Sequence, residues 1–363
     1  HDFAQAFCSP KVFITRADRV AGTPTTPARW LQRLNTVLRA CGLNPDADLS
    51  GPYLHYARTI THSDQAATPW PRPAPTPPKN KRPVRLSVTA IERWMRDPYH
   101  IYARYILRLK KLKDIEPAVD PALRGTIVHD ILDRFISQCH NVLSPDAEAQ
   151  FLSLAETVLA EQIEDPAQIR LWWPRIRKIA RWFITHERQW RNNYNPYLAE
   201  KKAEITLDCH GYNFTLSAKA DRIDISSDGK SHAIIDYKTG SPPTKKDVIA
   251  GYAVQLPLES LMAREGAFDG QDQPLESSYF GYWQLSGGEV AGKETAFKGD
   301  DPDTLTSDAE NGIKTLVATF MNDNVPYYSL PRTDKAPPAQ YQDYAHLARV
   351  QEWAALDDEE AAE

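Results

Sequence analysis

HAIIDYKTG, residues His232–Gly240, places an acid and a lysine at the end of an apolar run. Ala233, Ile234 and Ile235 predict a buried strand, and strand alternation then puts Asp236 and Lys238 on one face. The preceding segment, Ala218-Lys219-Ala220-Asp221-Arg222-Ile223-Asp224, brings Asp221 to a comparable position. Two carboxylates and a lysine on adjacent strands can hold a hard divalent cation, Mg2+ or Mn2+, beside an activated water. Such an ion lowers the pKa of its water and offsets charge on a phosphate. A lysine alongside positions that water or stabilises the negative charge that develops. The triplet alone is weak evidence. An acid, any residue and a lysine recur by chance about once in a chain of this length, and Glu200-Lys201-Lys202 and Asp228-Gly229-Lys230 fit as well. On spacing alone, a surface ion-pair cluster accounts for Asp221, Asp236 and Lys238 equally well.

Upstream lie two more strand-like segments, AEITLDC and FTLSAKADRIDI, with turn signals at His210-Gly211 and Asp228-Gly229. Helical patterns precede them: SVTAIERWMRD from Ser87, ending at Asp97-Pro98, then YHIYARYILRL, then GTIVHDILDRFI from Gly125, then a helical hairpin from about Asp146 to Asn193. Downstream come a helix from about Lys246 to Arg264 that runs through Pro257, a strand SSYFGYWQL, and a helix TLTSDAENGIKTLVATFMND. This order predicts an α/β core with antiparallel strands between helices. Residues 1–60 offer only a strand-like run, Val12–Thr15, and an amphipathic stretch around Trp30, Leu31, Leu34 and Leu38. That is too little for an independent core. Residues 61–85 are proline-rich and read as an extended linker. Residues 86–345 hold the α/β pattern, and 346–363 end on the acidic run Asp357–Glu360.

The 363 residues are 42% apolar and 25% charged, as in an ordinary folded protein. No run approaches the ~18 apolar residues of a membrane span, and HDFAQAFCSP is no signal peptide. A cytoplasmic location without a membrane partner is expected. An opening histidine in place of methionine suggests a piece of a longer chain. A net charge of −5 excludes a uniformly basic DNA-coating protein, although Lys79–Arg85 and Arg108–Lys113 are locally basic. Cys8, Cys41, Cys139 and Cys209 form no CxxC pair, so four reduced thiols and no zinc ribbon are expected.

His129 lies in RGTIVHDILDRF beside the apolar face formed by Val128, Ile131, Leu132 and Phe135. A lone histidine there reads as a helix-edge residue, although imidazole is a common metal ligand. Taken in order, GTIVHDIL, AEITL, SAKADRID, IIDYKTG and QLPLES resemble the RecB-type nuclease domains of the PD-(D/E)XK superfamily, over roughly Leu86 to Tyr344. Five ordered motifs are far more specific than one triplet. Within that superfamily the pattern is similar to the C-terminal region of AddB, one of the two subunits of the bacterial AddAB helicase–nucleases. VFITRADRVAGTPTTPARWLQRL likewise resembles the end of AddB's helicase-like region.

The resemblance implies a restriction-endonuclease-like core, a mixed central sheet flanked by helices and wrapped by N-terminal helices. It implies Mg2+-dependent phosphodiester hydrolysis, with Mn2+ as a substitute, during the processing of double-strand breaks. Metal ligation falls to His129, Asp221, Asp236 and the backbone carbonyl of Tyr237, with Lys238 as the catalytic lysine. Glu204 matches an acidic position on the first strand, and Gln255 the glutamine of a QLxxY helix motif. The implied partners are the single-stranded end of unwound DNA and an AddA-type subunit. The rival class is a DNA-binding or scaffolding module that holds that subunit without chemistry.

Two departures stand out. Glu259 replaces the tyrosine of QLxxY, which favours the scaffold slightly, and Tyr252, one turn before Gln255, is the candidate to compensate. Many AddB-like domains hold an iron–sulfur cluster on four cysteines. Here Asp97 stands where the first would be, and PAQYQDYAHLARVQEW contains none. No cluster is expected, and packing of Trp94, Tyr99, Tyr344 and Leu347 is expected in its place. Two further signals lie outside the motifs. Along Leu171–Arg191, Trp172, Ile176, Ile179, Phe183 and Trp190 share one stripe, opposite Arg170, Arg177, Arg181 and Arg188. The arginines read equally as phosphate contacts or as a solvated or subunit-facing surface. Gly287–Lys293 nearly matches a phosphate-binding loop, but Glu294 occupies the Ser/Thr position, so a hairpin turn and no ATP site are predicted.

Overall fold

The computed structural model describes residues 2–20, 22–45, 52–61, 71–112, 121–139, 143–268, 275–298 and 301–354. The acidic run Asp357–Glu360 lies outside them. The chain forms two compact units, His1–Thr68 and Pro69–Glu363.

The first unit contains α1 (Asp2–Phe7), β1 (Arg19–Val20), β2 (Thr23–Pro24), α2 (Arg29–Ala40) and α3 (Tyr53–Thr61). Val12–Thr15 is irregular, in contrast to the predicted strand. Pairing falls later, at Arg19↔Pro24 and Val20↔Thr23, where Gly22 adopts φ +79° and turns the chain. The apolar stripe of α2 is present, yet none of its residues is buried.

The second unit runs β3 (Arg85–Ser87), α4 (Val88–Arg96), α5 (Pro98–Ile101), a π turn (Tyr102–Ile106), α6 (Pro121–Gln138), α7 (Ala147–Gln162) and α8 (Pro166–Trp190). It continues with β4 (Tyr194–Asp208), β5 (Asn213–Ser226), β6 (Ser231–Lys238), α9 (Lys245–Ile249), α10 (Gln255–Arg264), β7 (Glu276–Gln284), β8 (Lys293–Lys298) and α11 (Asp301–Phe320). The sheet order is β3-β5-β6-β7-β8, with β4 also on β5. The β3–β5 and β6–β7 pairs are parallel and the others antiparallel, which gives a mixed α/β sheet flanked by helices.

Both sheet faces are covered, which is why β6 reads apolar throughout. Ile234 joins the core formed with α4, α10 and α11, whereas Ala233, Ile235 and Tyr237 join the one formed with α6, α7 and α8. Helix α8 buries Trp172, Ile176, Ile179, Phe183 and Trp190. Its Glu187 is fully buried and ion-paired at 2.8 Å with Arg222 of β5, which also pairs with Asp224 at 2.6 Å.

Two elements differ from expectation. The helix predicted over Lys246–Arg264 is two helices, broken where Gly251 takes φ +74°. Pro257 thereby falls in the first turn of α10, where its missing N–H has no intrahelical partner to lose. Residues 71–85 of the proline-rich stretch, expected as a linker, form a strap held on the second unit. Prolines lack donors but keep acceptors: the carbonyls of Pro73 and Pro75 accept from the Ser329 and Tyr327 amides at 3.1 and 2.8 Å. Buried Arg82 donates to the carbonyls of Pro77, Phe320, Asn322 and Asp323 at 2.5–3.0 Å, closing the C-terminus of α11. No helix among the described residues is long and apolar enough to cross a membrane.

Candidate metal centre

Strand β5 pairs with β4 along nearly its whole length. Its other edge pairs first with β3, over Thr215–Ser217, and then with β6, over Arg222–Ile225. Between these stretches, residues 218–221 have no ladder partner on that edge among the described residues. Asp221 fills the gap: its Oδ2 accepts the Tyr237 amide at 2.8 Å, as a strand carbonyl does elsewhere. The Tyr237 carbonyl then lies 2.9 Å from His129 Nε2. Helix α6 carries His129 to this point, with Gly125, one turn earlier, beside Thr239 at the end of DYKTG. A Cβ on Gly125 would sit 3.4 Å from Thr239 Oγ1.

His129 Nδ1 lies 3.3 Å from both Glu200 Oε1 and Asp221 Oδ1. Each ring nitrogen thus faces acceptors, and the ring is an imidazolium. Burial opposes that charge, but hydrogen bonds to Asp221 and Glu200 lift its pKa to about 10. Burial likewise resists ionisation of Glu200, and is outweighed by His129 and Lys219, which hold its carboxyl below the ordinary range.

The turn at His210-Gly211 explains how Glu200 arrives. Both residues have positive φ, +54° and +87°, and close a tight hairpin in which Asp208 faces Asn213. Outward from it, Lys201 pairs with Ala220 and Ala199 with Arg222, so Glu200 stands opposite Asp221. Glu200 itself has φ +49°, a costly conformation for a residue with a Cβ. Glu204, the acid matched by motif, stands opposite Ser217, is exposed, and pairs with Arg85. The first-strand acid brought to His129 and Asp221 is therefore Glu200, from a triplet that looks accidental in the sequence. Counting outward from the two-residue turn is the signal that reveals it.

Asp236 and Lys238 emerge on the α10 side. Lys238 Nζ lies 2.8 and 2.7 Å from the two Asp236 oxygens, and only the first contact has hydrogen-bond geometry, which leaves buried Oδ2 with acceptor capacity. Burial, partly offset by Lys238, pushes Asp236 up to about 6. Lys238 is raised, because Asp236 outweighs its own burial. Gln255, the first residue of α10, donates to Asp236 Oδ1 at 2.6 Å and accepts from Lys238 at 3.2 Å. Its amide donates to Glu92 Oε1 of α4 at 2.9 Å, so Glu92 anchors the start of α10, a role the motifs do not indicate.

Glu259 accepts from Gln255 at 3.1 Å and is buried. Burial and the charges of Asp236 and Asp221 raise it well above the carboxylate range. Tyr252 does not take the tyrosine's place. Its carbonyl accepts from Arg96, and its ring lies against Arg96 and Lys335, because the chain turns at Gly251.

Ligand atoms of His129, Glu200 and Asp221 lie within 4.8 Å of one another. Carboxylate oxygens, a carbonyl and an imidazole suit Mg2+ or Mn2+, the imidazole favouring Mn2+. With the spare acceptor of Asp236 nearby, the residues fit a divalent ion. They line a cleft of about 510 Å³ with Asp130, Asp133, Gln162 and Lys219. Lys219 also borders a cleft of about 730 Å³ that includes Gln255 and Glu259, whereas Asp236 and Lys238 line neither cleft.

The remaining candidates lie elsewhere. Arg170, Arg177, Arg181 and Arg188 are exposed on α8 and border neither cleft. Asp97, at the first cysteine position of the family's cluster, is buried and accepts the Leu330 amide at 3.2 Å. Tyr99 and Tyr344 pack there with Ala103 and Ala348. Trp94 does not join them: it packs in the main core against Phe320 and Tyr327, and Leu347 is exposed. The four cysteines are free thiols. Residues 286–292 form the β7–β8 hairpin, with the Gly287 amide donating to the Ala291 carbonyl at 3.0 Å.

Comparison with known proteins bears on this geometry. The chain is 30% identical over 267 residues to an uncharacterized protein of Rickettsia bellii, a match covering 71% of this chain and 30% of the relative. It is 32% identical over 195 residues to an uncharacterized protein of Rickettsia typhi, covering 52% of this chain and 22% of that one. It is 26% identical over 189 residues to the B-type subunit of the ATP-dependent helicase/deoxyribonuclease of Clostridium perfringens, covering 45% and 16% respectively. The chain thus spans less than a third of the length of each of these relatives. Residues 85–341, which hold every side chain of the metal centre, match the PD-(D/E)XK nuclease superfamily, and the chain belongs to that superfamily.

Proposed function

We propose that residues 86–345 are a divalent-metal-dependent DNA nuclease domain, and that it works inside a longer helicase–nuclease subunit of the AddB type. The observation that carries this reading is the meeting of His129, Glu200 and Asp221 at one sheet gap, where Asp221 and His129 bond the Tyr237 backbone between Asp236 and Lys238. A bound Mg2+ or Mn2+ would supply an acidified water and charge neutralisation on the scissile phosphate. His129, Asp221 and Asp236, with the Tyr237 carbonyl and Glu200, would hold it. Lys238, kept protonated by Asp236, orients the attacking water and stabilises charge on the phosphate oxygens. Gln255 fixes Lys238 and Asp236 relative to each other. The Clostridium relative's name supports a deoxyribonuclease role beside a helicase, and on this reading the domain processes broken DNA ends with an AddA-type subunit. Asp236→Ala and Lys238→Ala should each lower metal-dependent cleavage of single-stranded DNA by about 100-fold or more. Equal cleavage by native and variant chains overturns the site. If the native chain also fails to cleave when assembled with its helicase partner, the domain is a scaffold, the reading that Glu259 in place of the family tyrosine favours.

A further inference from the structure

Helix α8 is anionic nowhere on its surface. Its one acid, Glu187, is buried and paired, whereas Arg170, Arg175, Arg177, Lys178, Arg181 and Arg188 are exposed. Arg170 to Arg188 spans ~27 Å at 1.5 Å per residue. In a chain of net charge −5 this is a concentrated cationic face. The face is also concave. The β7–β8 hairpin packs against it, with Gly287 so close that a Cβ would meet the Arg175 carbonyl at 2.6 Å. Lys178 donates to the Gly288 carbonyl at 3.0 Å. Between helix and hairpin lies a cleft of about 580 Å³ walled by Arg177, Lys178, Arg181, Trp182, Thr185 and Gln189 among others. Gly292 covers one face of Trp182 and His186 stacks on the other at 4.7 Å, so the tryptophan presents its edge. The cleft's cationic wall suits a charged backbone.

The hairpin beside the cleft is bonded to the end of β6 that carries Lys238. The Leu285 amide donates to the Lys238 carbonyl at 2.7 Å, and Gln284 donates to the Gly240 carbonyl at 2.9 Å. Arg124, beside Gly125 at the start of α6, is held below its ordinary range by burial and by the charge of Arg175.

We propose that this cleft tracks the phosphate backbone of a single DNA strand to or from the metal centre, with Arg177 and Arg181 as phosphate contacts. The proposal rests on the nuclease reading for its ligand. Its test reads binding alone: fluorescence anisotropy of a labelled single-stranded oligonucleotide, titrated with the 363-residue chain in EDTA at several salt concentrations. The double variant Arg177→Glu, Arg181→Glu should bind about tenfold or more weakly, and the salt dependence should fall by about one to one and a half counterions. Arg177→Lys, Arg181→Lys should bind within about threefold of native, because a phosphate asks only for charge. Unchanged affinity and salt slope in the double glutamate variant overturn the track, as does tighter binding of a duplex of equal length. Unchanged DNA binding with loss of a helicase subunit assigns the face to protein and also overturns it. A chain that binds through these arginines yet cleaves nothing when assembled with its helicase partner sinks the nuclease reading and leaves the track standing.

Discussion

His129 is the residue whose protonation connects the fold to its proposed chemistry. In the metal-free cluster the ring is charged and bonded to Asp221, Glu200 and the Tyr237 carbonyl. Its folded pKa, about 10, lies above the ordinary 6.5. A raised histidine contributes stability that is fully present below about pH 6.5 and is lost as pH rises through about 10. In EDTA, the stability gap between native protein and His129→Gln should therefore be widest near pH 6 and close towards pH 10, read from urea midpoints. A flat gap across that range would show that the ring carries no such charge. A metal ligand must first lose its proton, so Mn2+ affinity should rise with pH over the same interval, with proton release measurable by calorimetry in buffers of different ionisation enthalpy.

At the scale of the element, strand β4 pays a conformational cost to deliver one carboxylate. Glu200 stands at φ +49° in a strand whose other residues are extended, where a Cβ costs roughly 1–2 kcal/mol. Glu200→Gly and Glu200→Ala remove the same carboxylate, so comparing them isolates the backbone. The glycine variant should be the more stable by about 1 kcal/mol in urea unfolding, and the reverse order would deny the strain.

The same strand shows what a sequence pattern can convey. Alternation along β6 foretells that Asp236 and Lys238 share a face, and they meet at 2.7–2.8 Å. The stripe on α8 foretells which aromatics are buried. Periodicity reports faces, and faces depend on neighbours within one element. Which acid stands opposite Asp221 depends on the register between two strands. Tyr252 turns away because of Gly251, and Trp94 joins the main core in place of the tyrosine cluster, through contacts with residues more than 100 positions distant. The strap is illegible for a related reason: proline composition announces missing donors but says nothing of where the remaining carbonyls find theirs.

At the scale of the whole molecule, the strap joins the beginning of the second unit to its end. Arg82 lies in the interior with four backbone carbonyls around its guanidinium, three of them from the C-terminal turn of α11 and the residues after it. Arg82→Ala leaves those carbonyls without donors and should cost about 2–4 kcal/mol by urea denaturation. Arg82→Lys should recover less than half, because one ammonium cannot reach positions that a planar fork spans. Full recovery by lysine would mean that the interaction is charge against the end of α11 and nothing more.

The hairpin at His210-Gly211 has a consequence for how this domain tolerates change. Insertions in surface loops are ordinarily among the cheapest alterations a protein can absorb. Here the loop sets the phase of two strands, and an added residue would carry Lys201 or Ala199 into the place facing Asp221. The side chains of the metal centre would all still be encoded, and the protein could still fold, but the imidazole would find an alkyl group or a cation where its anion had been. Substitutions at those two positions should be absorbed far more readily than changes in their number, so the length of this turn acts as a remote determinant of activity.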